Sequence, residues 1–231
     1  MLERIICDFD AISVVTVDGS NFPSLAIISA LNDALDKSED SGSDRILVFH
    51  VVGNNTDSSS DPPGEFDVAL VSKWERTLRR IERASTTTIV FAEGRCCIVG
   101  LELIMTADYR IVSSDLLIQL TFPGTALWPG MVLYRIVQQL GYSAARRLSL
   151  STSVSSRRCI ELGVADLVAS NDPADVNGIN TLLKGVPRRS DLAFARRLMQ
   201  EGITATYEQA LGAHLAACDR LLKMYEKSEV I

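Results

Sequence analysis

Residues 89–141 read IVFAEGRCCIVGLELIMTADYRIVSSDLLIQLTFPGTALWPGMVLYRIVQQLG, and the order of apolar runs and glycines in this stretch decides the fold class. Residues 89–92 are β-branched and apolar, which is typical of a buried strand. Gly94 breaks that strand, and helix-forming residues run from 100 to 107. A second strand and a Trp-Pro-Gly turn that opens another helix complete the stretch. The alternation of strand and helix predicts an α/β fold.

Glu102 is the only acid in the apolar segment LELIMTA, residues 101–107. A charged carboxylate in an apolar setting costs several kcal/mol, or else its pKa rises. Such a group must therefore be paired, protonated or functional. Because a raised pKa suits a general acid or base, Glu102 is the candidate catalytic residue.

Composition limits the classes of function. The chain has 231 residues, 47% of them hydrophobic, and a net charge of −6. This excess of acid argues against a nucleic-acid partner. No apolar run reaches the roughly 18 residues of a membrane span. The N-terminus, MLERIICDFD, has acids where a signal peptide has bases, so the sequence predicts a cytoplasmic protein without membrane contact.

The cysteines predict neither a disulfide framework nor a metal site, because there are five of them and none forms a CxxC pair. Cys96 and Cys97 have two interpretations. They are either small apolar residues filling a tight loop, which is the favoured interpretation, or they include a nucleophilic thiolate. A nucleophile would need a nearby histidine. His50 is expected as a hydrogen-bonded core residue of a strand, and His214 as a packing residue of a C-terminal helix.

The segments before residue 89 continue the alternation. Residues 12–17 and 45–52 predict strands, and the apolar spacing of residues 24–38 predicts a helix between them. Strand, helix and strand at this spacing indicate a right-handed parallel crossover. Residues 53–64, GNNTDSSSDPPG, are a polar loop rich in turn formers.

Residues 67–83 predict a long amphipathic helix. Its expected apolar stripe comprises Val68, Val71, Trp74, Leu78 and Ile81. Its bases either form a solvated face or help to bind a phosphorylated ligand. They are Lys73, Arg76, Arg79, Arg80 and Arg83.

The chain divides into three parts in this interpretation. Residues 1–170 form the core, residues 171–190 a loop-rich linker, and residues 191–231 a C-terminal helical segment.

Residues 93–111, EGRCCIVGLELIMTADYRI, resemble the segment of the enoyl-CoA hydratase (crotonase) superfamily that supplies an oxyanion-hole amide and the first catalytic glutamate. That family has three glycines where this chain has Ile98-Val99-Gly100. Glu102 and Asp108 then follow at the family's spacing. The resemblance implies a crotonase-like spiral of ββα repeats, with C-terminal helices that help to form homotrimers or hexamers.

The resemblance also implies site residues. Glu102 matches the first glutamate, and the backbone amide of Val99 matches one oxyanion donor. The family's other donor follows a glycine in the loop after the second strand, which makes Glu65 the candidate here. The position of the second glutamate, fourteen residues past Asp108, is Phe122. Because hydration uses two carboxylates, Phe122 argues against ordinary enoyl-CoA hydration.

The acyl pocket is expected near the Trp-Pro-Gly turn. Residues 128–130 match the family's Ile-Pro-Gly turn, so Trp128 and Gly130 are candidate pocket residues, together with Phe122. Trp128 and Phe122 would make an aromatic pocket suited to a flat ring. The alternative is that both are plain core residues.

Residues 71–83 and 127–139 resemble one branch of the superfamily, which functions in dihydroxyphenylglycine biosynthesis. That branch works beside a type III polyketide synthase that builds 3,5-dihydroxyphenylacetyl-CoA from malonyl-CoA. The resemblance implies a dehydration or aromatisation step on a CoA thioester. Coenzyme A is then part of the substrate and no separate cofactor is expected. The implied partners are the synthase and sister crotonase-like proteins.

The sequence leaves two alternative functions open. The protein is either a non-catalytic acyl-CoA-binding or stabilising partner of the synthase, or a stand-alone enoyl-CoA hydratase or isomerase.

Overall fold

The computed structural model describes residues 12–40, 46–54, 66–120, 129–170, 172, 178–181, 185 and 189–228. Its strands are β1 (Ile12–Asp18), β2 (Ile46–Val52), β3 (Thr87–Glu93), β4 (Arg95–Cys96), β5 (Tyr109–Ser113), β6 (Leu117–Gln119), β7 (Ser153–Ser155) and β8 (Leu167–Ala169). Its helices are α1 (Leu25–Asp40), α2 (Val68–Glu82), α3 (Ile98–Ile104), α4 (Val132–Leu140), α5 (Tyr142–Ser149), α6 (Ser156–Leu162), α7 (Arg189–Gly202) and α8 (Tyr207–Ser228).

Five strands form a parallel sheet in the order β1-β2-β3-β5-β8. The predicted parallel crossover from β1 through α1 to β2 is confirmed. Strands β2 and β3 read as continuous apolar runs because both faces of the sheet are covered. Leu47, Phe49 and Val51 point to the face covered by α1, α2 and α3, whereas Val48 points to the opposite face.

A second sheet of three strands, in the order β4-β6-β7, lies beside the first. Strand β3 continues into β4 through Gly94, whose φ of 72° lies in the left-handed region that favours glycine. Strand β5 leads into β6 through a turn in which the N–H of Leu116 donates to the carbonyl of Ser113 at 3.1 Å, and a helix follows each pair. These units, β3-β4-α3 and β5-β6-α4, are the ββα repeats of the predicted spiral, so the predicted α/β class is confirmed.

Helix α2 buries one stripe of its surface in the core, but the stripe differs from the prediction. Trp74, Leu78 and Ile81 are buried as expected. Val68 is 85% exposed, so its predicted place in the stripe is wrong, and Leu70 is buried instead. Val68 is the first residue of the helix, directly after its N-cap Asp67, whereas Leu70 lies one turn before Trp74 on the buried face.

The bases of α2 do not all lie on a solvated face. Arg80 binds Asp36 and Glu39 of α1, which joins the two helices. Arg79 pairs with Glu82 on its own helix, at 3.3 Å. The remaining bases, Lys73, Arg76 and Arg83, are exposed.

The C-terminal helix α7 docks on the core through a buried arginine. Arg196 Nη1 lies 2.6 Å from Asp108 Oδ2, and its Nη2 donates to the carbonyl of Ala84. His214 on α8 is exposed in the single chain, so its predicted packing role, which includes packing on a neighbouring subunit, stays a prediction. Several large apolar side chains of α8 are exposed as well: Leu211, Leu215, Leu221 and Leu222. Within the described ranges, no helix is long and apolar enough to cross a membrane.

Replacing Gly53 with alanine is expected to destabilise the fold. Gly53 follows β2, and a Cβ at this position would lie 2.4 Å from the backbone of Arg95, which cannot move without breaking β4. We expect the free energy of unfolding to fall by about 1–3 kcal/mol in urea denaturation. The control is Gly212→Ala in α8, where no described atom lies within 4 Å of the added Cβ. This control should be neutral or stabilising by up to about 1 kcal/mol. Equal stability of the two variants would contradict the close approach at Gly53.

Candidate active site

The carboxyl ends of three strands meet at the start of α3. The N–H of Gly19, after β1, donates to the carbonyl of Val52 at 2.9 Å, and the N–H of Gly53 donates to the carbonyl of Glu93 at 2.8 Å. The N–H of Cys97 donates to the carbonyl of Gly19 at 2.7 Å. These bonds fix the loops after β1, β2 and β3 against the residue that precedes α3. The candidate site is built at this edge of the large sheet, where α/β proteins commonly bind ligands.

Val99 lies in the first turn of α3. The helix begins at Ile98, two residues before the predicted start at Gly100, and Cys97 is its N-cap residue in an extended conformation. A Cβ on Gly100 would lie 2.7 Å from the Cβ of Cys96, so only glycine lets this turn fold back so closely against β4. Because α3 begins at Ile98, Val99 is its second residue, and the N–H at this position has no acceptor within the helix. Its backbone N–H is suited to bind an oxyanion, and this role stays a prediction.

The side chain of Val99 is directed into the core and is fully buried. The core takes up this branched side chain, because α3 packs on the large sheet with the apolar residues of its first turn.

Glu102 lies one turn further along α3, and 1% of its surface is exposed. Its Oε2 accepts a hydrogen bond of 2.6 Å from the indole Nε1 of Trp74, on α2. Trp74 is also 1% exposed. A carboxylate has about four acceptor sites on two oxygens, so one indole donor leaves capacity for further bonds. The role of Glu102 as an acid or base stays a prediction.

Trp74 is the residue that the sequence analysis missed, because it was placed only in the apolar stripe of α2. A signal was present. A buried tryptophan normally needs an acceptor for its N–H, and Glu102 is a carboxylate within an apolar segment. What the sequence could not supply was the proximity of two residues 28 positions apart.

The other predicted site residues divide into two groups. Glu65, Phe122 and Trp128 lie outside the described residues, so their roles stay predictions. Gly130 is partly buried, and its carbonyl accepts a bond of 3.2 Å from the N–H of Leu133 at the start of α4. Gly130 thus opens α4, as the sequence predicted, and its contribution to a pocket is untested.

Helix α4 is fixed to α2 by the buried Arg135. Its Nε donates to Glu82 Oε1 at 2.7 Å, and its Nη1 donates to Glu75 Oε2 at 2.9 Å. Burial acts to lower the pKa of Arg135, but the carboxylates of Glu82 and Glu75 outweigh burial and raise the pKa above its usual value. The guanidinium therefore stays charged, and the turn at Gly130 has a fixed position relative to α2.

A separate cavity of about 580 Å³ lies between α2, α4 and α7. Arginines line it, and Glu102 is not among its lining residues. Two of these arginines, Arg79 and Arg83, lie at the end of α2, just before β3 begins. The cavity is therefore near the amino ends of the strands, opposite the start of α3. Two of the arginines that line it, Arg135 and Arg196, form the ion pairs already described.

The cysteines near the site are not activated. Burial raises the pKa of Cys96 and of Cys97 to about 12 in each case. The Cys97 thiol donates to the carbonyl of Asn21 at 3.0 Å. Both thiols are thus protonated at neutral pH, which favours the loop-filling interpretation.

His50 is hydrogen-bonded in its strand, as expected for a core residue. Its Nε2 lies 2.7 Å from Glu93 Oε1, and its ring packs on Phe91. Within the part of the chain that the structure describes, no group of three or more His, Cys, Asp and Glu side chains is placed to hold a metal ion.

Comparison with known proteins gives one clear relative in sequence. A protein of Amycolatopsis orientalis named enoyl-CoA-hydratase is 37% identical over 211 residues, which are 91% of this chain and 95% of the relative. No protein-family model matches the chain.

Solved structures resemble the fold more widely. An enoyl-CoA hydratase/isomerase from Marinobacter aquaeolei has a TM-score of 0.77 and 17% identity, covering 92% of this chain and 88% of its own. An enoyl-CoA hydratase from Shewanella pealeana has a TM-score of 0.75 and 16% identity, covering 92% of this chain and 85% of its own. At these identities the likeness concerns the fold.

Alkylation of the native protein tests the state of the cysteines. We expect iodoacetamide to modify Cys218, which is exposed, before it modifies Cys96, Cys97 or Cys159, whose thiols are protonated through burial. Peptide mass spectrometry after timed quenching gives the order of labelling. In a sample unfolded in urea, these cysteines should be labelled at similar rates. Labelling of Cys97 ahead of Cys218 would revive the nucleophile interpretation.

Proposed function

Because the chain belongs to the enoyl-CoA hydratase (crotonase) superfamily, we propose that it acts on a CoA thioester by dehydration or aromatisation, with Glu102 as general acid and base. One observation carries the proposal. A buried carboxylate, Glu102, lies three positions after Val99 on the same short helix, at the edge where the loops after β1, β2 and β3 meet. Helical side chains point back toward the N-terminus of the helix, which is also the direction of the backbone N–H of Val99, so the acid and the amide can serve one substrate.

The chemistry follows from the thioester. Removal of its α-proton creates an enolate, whose oxyanion needs fixed N–H donors, each typically worth about 3 kcal/mol. The N–H of Val99 would supply one donor. The loop of residues 55–65 would supply the other, with Glu65 as the candidate. The proton that Glu102 takes from the α-carbon can then go to a leaving 3-hydroxyl, so that water departs and a double bond forms.

A single acid would have to serve both proton transfers. The position of the family's second glutamate is Phe122, which can neither orient a water molecule nor move a proton. Because hydration and dehydration are one reaction in opposite directions, they use the same groups, and in this proposal Glu102 alone carries the proton between the α-carbon and the 3-hydroxyl. The substrate then sets the direction, since a product that becomes aromatic draws the reaction toward loss of water.

We propose further that the substrate is the polyketide thioester from which 3,5-dihydroxyphenylacetyl-CoA is formed. The resemblance of residues 71–83 and 127–139 to that branch supports this assignment, and the aromatic candidates Phe122 and Trp128 suit a flat ring. Coenzyme A is then part of the substrate, and the partners are a type III polyketide synthase and sister crotonase-like proteins. The exposed leucines of α8 support assembly into homotrimers or hexamers.

Two observations favour other candidate functions. The indole of Trp74 binds Glu102, and a carboxylate held for structure alone would fit a non-catalytic acyl-CoA-binding partner that stabilises the synthase. The name of the Amycolatopsis relative favours a stand-alone enoyl-CoA hydratase or isomerase.

The variant Glu102→Gln separates the catalytic function from the stabilising one. Glutamine keeps an oxygen for the indole of Trp74 but cannot move the proton, so we expect the rate of dehydration of a 3-hydroxyacyl-CoA to fall by about 10²–10⁴-fold. The absorbance of the enoyl thioester measures this rate. The matched control is Glu161→Gln, at an exposed acid that pairs with Arg157 and Arg158. A variant of position 102 with an unchanged rate would establish the non-catalytic function.

Reconstitution tests the substrate. A type III synthase that makes 3,5-dihydroxyphenylacetyl-CoA is incubated with malonyl-CoA, with and without this protein, and the products are separated by liquid chromatography. We expect more of the aromatic product when the protein is present, and the Glu102→Gln variant to lose that gain. Crotonyl-CoA serves as a parallel substrate. Rapid hydration of crotonyl-CoA, with no effect on the synthase products, would identify a stand-alone hydratase instead.

A further inference from the structure

We propose that Trp74 is the positioning residue of this site, whose indole N–H holds the carboxylate of Glu102 in its reacting orientation. The inference rests on the proposed acid–base function of Glu102. The hydrogen bond of 2.6 Å joins two buried groups on different helices, α2 and α3. Bonds from a neutral donor to a carboxylate are short and stronger than those between neutral groups, so this contact can fix a side chain.

Glu102 needs such a partner because its side chain is intrinsically loose. The terminal torsion of a glutamate is broad, and α3 has only seven residues to support it. Proton transfer requires the acid to lie within hydrogen-bonding reach of the reacting carbon or oxygen. A donor on a long helix whose apolar face is anchored in the core removes that freedom. Trp74 meets this need, because Leu70 and Leu78, one turn before and after it, anchor α2 in the core.

A purely structural role explains the hydrogen bond between Trp74 and Glu102 less well. Replacing a buried polar pair by apolar residues of similar size is often neutral or stabilising, so stability alone gives no reason to keep an acid in the apolar segment LELIMTA. A buried acid with its own hydrogen-bond donor is better explained by a role in proton transfer.

Helix α2 holds both Glu102 and helix α4 in fixed positions. One residue after Trp74, Glu75 binds Arg135, and Glu82 binds the same guanidinium from the end of α2. Helix α4, which begins beside Gly130, is thereby fixed to the helix that holds Glu102. The acid and the turn expected to shape the acyl pocket thus share one rigid support.

The hydrogen bond can be tested without any activity assay. The chain has two tryptophans, so its ¹⁵N–¹H spectrum holds two indole signals, and Trp128→Phe assigns them. We expect the Trp74 signal to be shifted downfield and slow to exchange with solvent. Glu102→Gln should move this signal, whereas the surface control Glu161→Gln should leave it in place. A Trp74 signal that exchanges rapidly, or that ignores Glu102→Gln, would overturn the inference whatever the protein catalyses.

Kinetics test the positioning itself. Trp74→Phe keeps an aromatic ring but removes the N–H, so we expect kcat to fall by about 10- to 100-fold with little change in KM, because the thioester still binds. Leu148→Ala, at a buried position on α5, controls for lost stability and should leave kcat nearly unchanged.

The outcomes separate the two proposals. If Glu102→Gln abolishes activity while Trp74→Phe retains kcat, the positioning role is wrong and the acid function stands. If Glu102→Gln retains activity, the acid function is wrong, and the positioning role is overturned with it even when the NMR signal confirms the bond. Equal losses of kcat in Trp74→Phe and Leu148→Ala would also overturn the positioning role.

Discussion

A carboxylate enclosed by apolar residues needs a hydrogen-bond donor, and in this protein the donor is an indole on a neighbouring helix. The contact between Trp74 and Glu102 sets α3 against α2. The alternative, an ionised acid among apolar side chains, is far less stable. The rest of the candidate site is arranged around this contact. The amide of Val99 lies one turn before the acid, and α4 is held on the same helix by the ion pairs of Arg135.

The spiral architecture brings distant segments to one edge of the molecule. Each ββα repeat leaves the large sheet, crosses into the small one and returns through a helix, so successive loops collect at the carboxyl ends of the large sheet. The chain segments at Gly53 and Gly94 approach each other so closely that a side chain at either position would collide with backbone atoms. Gly53 and Asn54, the two residues that follow β2, consequently lie against Arg95 of β4, shortly before α3 begins.

Charged side chains other than Glu102 serve mainly to hold helices in place. Arg135 and Arg196 are buried, and each is matched by carboxylates, so they tie α4 and α7 to the core. Breaking such a pair would leave an uncompensated buried charge, which is costly. The catalytic proposal therefore separates two uses of ionisable groups. Paired arginines fix helices in place, and a single acid beside main-chain amides performs the chemistry.

The sequence by itself determined the alternation of strands and helices, the parallel crossover, the start of the turn at Gly130 and the apolar setting of Glu102. These features depend on residues close together in the chain, whose periodicity and turn chemistry are local. Only the tertiary structure decided that Trp74 binds Glu102, that Arg135 binds Glu75 and Glu82, that Leu70 replaces Val68 in the core, and that Val99 points its side chain inward. Each of these depends on which elements pack together, and the contacts between residues far apart in the chain exist only once the core has formed.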